Sequence, residues 1–518
     1  MTIIKTLLND GKYCVFLLFL SNKYDKIYFD YIVKNTVKEI IPLDKLESIL
    51  KSINNFVWGV PLIVLIISTG IYLTIRLKGL QLRHLPRALK YMVQNEEGGE
   101  GEVSSFAALC TSLSSTIGTG NIVGVATAIG ILSGGPGALF WMWIAAIFGM
   151  ATKYTEGFLA IKYRTIDSKG HVLGGPFYYI EKGMGLKWKW LAKIFAFFGA
   201  CVGLFGIGTF SQVNGISSAI QGFFDPEKTH TISILGRDYS VAVVITGLIL
   251  TLCVGLVTIG GLKRISGVSQ IVVPFMAIVY IAACLTLILF NIEKLPSAIA
   301  EVIESAFGLR AISGGIGASM AIAIQKGVAR GIFSNEAGLG SAPIAAASAK
   351  TKDTVRQGLV SMTGTFIDTV VICTMTGLSI VMMGSWRNPE LEGVAVTTDA
   401  YQKGLPFLPS EICSFILMAC LVFFAFTTII GWDYYGERCL EYLTNRNKRA
   451  LRIYRFLYIL AVFIGPYMTV AAVWTMADIF NGLMALPNII ALLALSGIVA
   501  KETNDYFKQE KKNKKEQK

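Results

Sequence analysis

Eleven apolar runs, each long enough to cross a bilayer, divide this chain and leave it few folds to choose from. They lie near residues 55–77, 104–132, 136–160, 190–222, 240–260, 268–291, 308–330, 357–384, 411–436, 452–475 and 477–500. Hydrocarbon offers no partner to a backbone amide, so each run must satisfy its own hydrogen bonds, as a helix does. The rest of the composition agrees. Charged residues make up 16% of the chain and the mean hydropathy is +0.57, whereas a soluble domain carries roughly 25% charge. The expected class is an all-α polytopic membrane protein.

The connections set the orientation. Arg76, Lys78, Arg83, Arg87 and Lys90 follow the first run, Lys162, Arg164, Lys169 and Lys182 the third, and Lys263 and Arg264 the fifth. Lys350, Lys352 and Arg356 follow the seventh, and Arg446, Lys448, Arg449, Arg452 and Arg455 surround the loop after the ninth. The alternate loops are acidic or mixed. Basic loops stay in the cytoplasm, so the N-terminus is expected outside and the C-terminus inside the inner (plasma) membrane. The net charge of +13 is thus used in orientation and does not point to nucleic acid. Residues 1–43 are expected to form an N-terminal extension outside this pattern, 44–500 the membrane domain, and 501–518 a disordered, solvated basic cytoplasmic tail.

Two of the runs are interrupted. SSTIGTGNIVG, Ser114 to Gly124, lies in mid-run, yet Gly118, Thr119, Gly120 and Asn121 make poor helix. SGGIGAS, Ser313 to Ser319, interrupts the seventh run in the same way. Setting the first run aside as peripheral leaves two sets of five, each opening with a broken helix. Paired interruptions at matching positions mark the binding site of secondary transporters with inverted repeats. The plainer reading of each glycine stretch is a face for close helix packing.

The polar residues at these points are candidates for binding. Asn121 can complete a shell of oxygens around Na⁺ with the freed carbonyls of Ser114, Thr116 and Ile117, or it can bond a neighbouring helix. The amides of Gly118, Thr119 and Gly120 can receive a carboxylate at the start of the half-helix that follows. Gln212, in GTFSQVNG, can contact a zwitterion or pack between helices. Thr427 and Thr428 suit a second Na⁺ site facing the first break, although threonine also bonds its own helix. Asp368 is the acid well inside a span, and it can couple protons, help hold a cation or pair with a hydroxyl such as Thr365. Lys153 and Glu156 read as an ion pair on a helix surface. Asn335 and Glu336, in RGIFSNEAGLGSAP, lie just past the seventh run and read as part of a packed cytoplasmic gate.

Several longer stretches resemble one family. GEGEVSSFAALCTSLSSTIGTGNIVGVATAI (99–129) and GVARGIFSNEAGLGSAPIAAASAKT (327–351) are similar to the alanine-or-glycine:cation symporters. So are GGPFYYIEKGMG (174–185), GTFIDTVVICTMTGL (364–378) and FAFTTIIGWDYYGERC (424–439). The resemblance, over about 45–500, implies the leucine-transporter fold: one extra helix, then two inverted five-helix repeats. It implies uptake of alanine or glycine coupled to Na⁺, or to H⁺ in some members. It carries Gly118, Thr119, Gly120 and Asn121 over as the substrate-carboxylate and Na⁺ motif, and Gln212 as a substrate contact. Ser114 and Ile117 would give carbonyls to a second Na⁺ opposite Thr427 and Thr428. Ile316, Ser319 and Met320 would wall the side-chain pocket, with Ile316 standing where many relatives have phenylalanine.

The function expected is a secondary active symporter with Na⁺ as coupling ion and no other cofactor, working as a monomer among membrane lipids. A proton-coupled or broader neutral amino-acid symporter is the alternative. An enzyme is not expected, because His84, His171 and His230 all fall in loops and Asp368 has no acidic partner in a span. The nine cysteines are scattered without a C-x-x-C pair and read as small apolar fillers. A channel would need a pore-lining ring, where paired breaks speak for a carrier.

Overall fold

A computed structural model describes residues 49–50, 52–54, 56–94, 96, 99–234, 237–308, 320–468 and 470–516. The chain divides into two compact units, Met1–Ile53 and Asn54–Lys518, and the elements below belong to the second. In order they are α1 (Val60–Arg76), α2 (Ser105–Thr116), α3 (Val125–Ile129), α4 (Gly137–Lys162), α5 (Lys189–Phe205), α6 (Phe210–Phe224), α7 (Val241–Thr258) and α8 (Gly261–Phe290). There follow α9 (Leu295–Ala306), α10 (Met320–Asn335), α11 (Thr354–Thr365), α12 (Thr374–Met383), α13 (Val394–Gly404), α14 (Ser410–Leu443), α15 (Lys448–Ile464) and α16 (Val470–Glu516). Two small antiparallel hairpins interrupt the helices: β1 (Thr165–Ile166) with β2 (Val172–Leu173), and β3 (Thr231–Ile234) with β4 (Arg237–Ser240).

Among the described residues, seven helices are long and apolar enough to span a membrane, and they correspond to the runs at 190–222, 240–260, 268–291, 357–384, 411–436, 452–475 and 477–500. The run at 136–160 is α4, whose 26 residues extend about 39 Å. Its C-terminal half carries Lys153 and Glu156, which lowers its hydropathy. The outer surface is apolar, as lipid contact requires: Ile245, Leu248, Leu252 and Leu256 of α7 are each at least half exposed.

Several runs depart from a simple helix, and three of them shape the region described below. The run at 104–132 breaks: α2 ends at Thr116, Ile117 is extended (φ −76°, ψ 96°), and a π-helical turn at Gly120–Gly124 leads into α3. Twelve residues of α2 reach only about 18 Å, so neither half spans alone. The run at 190–222 bends between α5 and α6, where Gly206 and Thr209 leave helical geometry. The run at 357–384 holds a π-helical segment, Phe366–Cys373, between α11 and α12, a feature that widens a helix and re-aims its side chains. The predicted second break, Ser313–Ser319, lies outside the described residues, and with it Ile316 and Ser319.

The tail differs from expectation. Residues 501–516 continue α16 as helix and are not a solvated coil. Tyr154 and Thr503 hydroxyls share a hydrogen bond of 2.7 Å, Glu502 pairs with Lys162 and Glu510 with Arg87, both at 2.6 Å, and Phe507 stacks on His84. Thr503, Tyr506, Phe507 and Glu510 recur at helical spacing, so one side of the basic segment has partners.

Candidate functional site

The break in the second run frees backbone groups, and side chains from three other elements converge on them. Gly118 N–H donates to Asn121 Oδ1 at 2.9 Å, and Thr119 N–H donates to Gln212 Oε1 at 3.0 Å. Gln212 is aimed by the bend before α6: its Nε2 donates to Ile207 O at 3.0 Å. Two successive amides are therefore held by the oxygens of side-chain amides. Such an oxygen occupies the position that one oxygen of a carboxylate would take.

Asn121 is tied in further. Its Oδ1 accepts from a backbone N–H, so its Nδ2 must point the other way. It donates to Asp368 Oδ1 at 2.8 Å. Asp368 Oδ2 accepts from Ser334 Oγ at 2.8 Å and Thr369 Oγ1 at 2.7 Å. The expected hydroxyl partner Thr365 is not used; its Oγ1 has no hydrogen-bond partner among the described residues. The π-helical segment turns Asp368 towards the break. Thr376 donates to Asn121 O at 2.8 Å and accepts from Tyr280 at 2.7 Å.

On the opposite side of the break, Thr428 Oγ1 lies 3.1 Å from Ile117 O and 3.0 Å from Phe424 O. Thr427 points elsewhere, bonding Phe424 O and lying 3.6 Å from Met276 Sδ. Ser114 Oγ and Thr116 Oγ1 donate back into α2, to Thr111 O and Leu113 O. Gly118 has no room for a side chain: a Cβ there would lie 2.5 Å from Thr428 Oγ1 and 2.8 Å from Gln212 Oε1. Met320, at the start of α10, is 41% exposed and makes no described contact with these residues.

A cavity of about 520 Å³ opens above this point. Thr119, Val123, Asn214, Gly215, Arg330 and Val394 line it. Sequence reasoning did not single out Arg330, which lies 3.6 Å from Asp478 and over the ring of Phe333; its signal was a basic residue at the end of an apolar run.

The other end of the bundle is closed. Lys153 and Glu156 are 2% and 0% exposed, which overturns their reading as a surface pair. Sequence spacing showed them three apart but could not show that α10 and α11 cover that face. Glu156 Oε1 accepts from Gly338 N and Gly340 N at 3.2 Å each and from Asn488 Nδ2 at 2.7 Å. This pins the buried loop 336–341. Nearby, Glu102 Oε1 accepts from Val172 N at 2.6 Å and lies 3.2 Å from His171 Nδ1, while His171 Nε2 lies 3.1 Å from Glu441. Arg438 pairs with Glu441 at 2.7 Å and Glu102 at 3.6 Å. Hydrogen bonds that the ring donates to the Glu102 and Glu441 carboxylates push the His171 imidazole up to about 9, outweighing burial and the Arg438 guanidinium. The cluster joins the foot of α2, the β1–β2 hairpin and the end of α14.

The chain is similar to known transporters over most of its length. The model of the sodium:alanine symporter family matches residues 43–518. An uncharacterized transporter of Haemophilus influenzae is 54% identical over 469 residues, covering 90% of this chain and 98% of the relative. The sodium/alanine symporter AgcS of Methanococcus maripaludis is 46% identical over 477 residues, covering 90% of this chain and 99% of its own. Among solved structures, MhsT in complex with L-phenylalanine superposes with a TM-score of 0.54 at 12% identity, over 78% of this chain and 99% of that one. That likeness shows a shared leucine-transporter fold.

Proposed function

This chain belongs to the sodium:alanine symporter family, a family of transporters and not of enzymes, and from that premise we propose that it imports alanine or glycine with Na⁺ by alternating access. One observation carries the reading: at the floor of an open cavity, a backbone amide freed by a helix break is held by a replaceable side-chain oxygen, Gln212 Oε1 on Thr119 N. The substrate carboxylate takes that position, and Gln212 turns to meet the zwitterion. Gly118 and Gly120 allow the close backbone approach this needs.

Na⁺ sits between Ile117 O and Thr428 Oγ1, with the Ser114 and Thr116 carbonyls completing the oxygen set, while Thr427, turned to Phe424 O and Met276, stays outside it in this conformation. Asn121 links this region to Asp368 and so to α10. A cation here lowers the cost of the partly charged carbonyl ends and orders the amides before substrate arrives. Ile316, Ser319 and Met320 close around the small side chain.

The positive loops place the Glu102–His171–Arg438–Glu441 cluster and the loop 336–341 on the cytoplasmic side. The conformation described is then open to the outside and locked within. The N-terminus lies outside, the C-terminus in the cytoplasm, and the protein acts as a monomer in the plasma membrane. The Na⁺ gradient supplies the drive: one charge moved through 100 mV is worth about 2.3 kcal/mol.

Uptake of radiolabelled alanine into proteoliposomes, with inward Na⁺ or with choline, tests the proposal. Accumulation with Na⁺ alone, lost in Asn121→Ala, supports it. Equal uptake under a proton gradient without Na⁺ would remove the ion assignment, and no uptake from folded protein would remove the substrate.

A further inference from the structure

The loop Glu336–Ser341 is fully buried and contains a second acid that the substrate site does not use. Glu336 has φ 56°, a left-handed backbone that non-glycine residues seldom adopt. That backbone turns its carboxylate back between α4 and α14. Oε1 accepts from the indole N–H of Trp432 at 3.0 Å, and Oε2 bonds the Ser341 hydroxyl. Lys153, from α4, and Asp368, from the π-helical segment, are the charged groups that act on it, and Tyr435 faces it from α14.

Three buried acids, Glu156, Glu336 and Asp368, thus feel one ammonium, Lys153, which has no hydrogen-bond partner among the described residues. Their bonding patterns separate them. All three partners of Glu156 Oε1 are N–H groups, which can only donate, and its Oε2 has no partner among the described residues, so a proton on it would meet no acceptor. Lys153 stands three residues from Glu156 on α4 and acts on all three acids. Asp368 is joined through Asn121 to the Na⁺ site. Glu336 bonds two neutral groups, Trp432 and Ser341, and makes no direct ion pair among the described residues. It is also the acid whose Oε2 meets a single partner, the Ser341 hydroxyl, which can accept as readily as it donates. A neutral Glu336 can place its proton on Oε2, donate to Ser341 Oγ, and keep Oε1 as acceptor for Trp432.

We propose that Glu336 is a reversible proton site, occupied in this closed arrangement and emptied when the loop 336–341 parts from α14 and meets the cytoplasm. The inference rests on the symporter reading and adds a second cation, H⁺, to it. The position explains why a proton there would matter. Glu336 belongs to the loop that ends α10, and Trp432 belongs to α14, so the bond crosses between an element joined to the broken-helix site and the element that presents Thr428. An ionised Glu336 in the closed state would be a buried charge with no directly bonded counter-ion, which favours opening; protonation favours closure. One proton linked to one conformational equilibrium shifts it by about tenfold per pH unit over the range where only one state titrates.

The test uses purified protein in proteoliposomes with saturating Na⁺ on both sides and alanine exchange as readout, while luminal and external pH are varied together. Wild type should exchange more slowly as pH falls. Glu336→Gln, a mimic of the neutral acid, should exchange at a rate that no longer changes with pH. Trp432→Phe, which removes a donor to the ionised form, should keep the pH dependence but displace it to more alkaline pH. A pH-sensitive dye in the lumen should report alanine-dependent proton movement in wild type and none in Glu336→Gln. If Glu336→Gln and Trp432→Phe both keep the wild-type pH profile, or if the dye response persists in Glu336→Gln, the proton site is overturned while the symporter stands. If wild type exchanges no alanine under any condition, the symporter reading itself fails.

Discussion

Replacing Gly118 by alanine probes the site at its tightest point, and Gly124→Ala, six residues on in the same broken helix, is the control. A Cβ at Gly118 would lie 2.5 Å from Thr428 Oγ1 and 2.8 Å from Gln212 Oε1. Both neighbours can yield only by surrendering a bond of the site. Thr428 is β-branched and stiff at χ1, and its hydroxyl is held between Ile117 O and Phe424 O. Gln212 is flexible, but moving it leaves the Thr119 amide unpaired in a buried place. Overpacking of this kind costs about 1–3 kcal/mol, which is about 5- to 150-fold in affinity at 1.4 kcal/mol per decade. A Cβ at Gly124 meets nothing nearer than Thr119 O at 4.0 Å, so its affinity should stay within about twofold. The assay is Na⁺-dependent binding of labelled alanine to purified protein, with melting temperature measured alongside. Wild-type affinity in Gly118→Ala would refute the placement of Gln212 and Thr428 around the break. An equal loss in Gly124→Ala would show that the whole segment rejects a side chain, and the site-specific reasoning would fall.

Other outcomes follow from the same geometry. Thr428→Val should weaken Na⁺ binding about tenfold, measured by the Na⁺ dependence of alanine binding, whereas Thr427→Val, whose hydroxyl faces Met276, should have the smaller effect; the reverse order would exchange their roles. Gln212→Glu should place a fixed carboxylate oxygen on the Thr119 amide and repel substrate, weakening alanine about tenfold or more, read by isothermal titration. The His171 cluster carries a pH signature. Its imidazole is raised from 6.5 to about 9 by Glu102 and Glu441, so the stability it adds is fully present below pH 6.5 and is lost as pH rises through about 9. Melting of wild type between those values should fall more than that of His171→Gln, and parallel curves would show that the imidazolium adds nothing.

Sequence and structure contributed different things, and the division has a physical cause. Membrane spans are legible in one dimension because lipid imposes a single requirement, a long apolar run, at every position of a span. The break at Gly118–Asn121 is legible for a related reason: glycine and asparagine in mid-run contradict their surroundings, and the local backbone departs from helix where the residues say it should. Gln212, Thr428 and Asp368 stood out as polar residues in apolar company. What each one touches depended on neighbours far away in the chain. That Thr428 rather than Thr427 reaches Ile117 is decided by the rotation of α14 about its own axis, which an adjacent pair of identical residues cannot reveal. That Asp368 turns to Asn121 and Ser334, and not to Thr365, follows from the π-helical segment, whose extra residue per turn shifts the face. Lys153 and Glu156 were misread because spacing three residues apart says only that two side chains share a face; packing against α10 and α11 decided that the face is buried. The tail was misread in the same way, since the partners of Phe507 and Glu510 lie more than four hundred residues earlier. The amino-acid sequence alone determined where the chain crosses the membrane and where a helix must open, because both follow from the local cost of leaving backbone groups unpaired. Which side chains close around that opening was left to the tertiary structure, because it depends on how separate helices are rotated and pressed together.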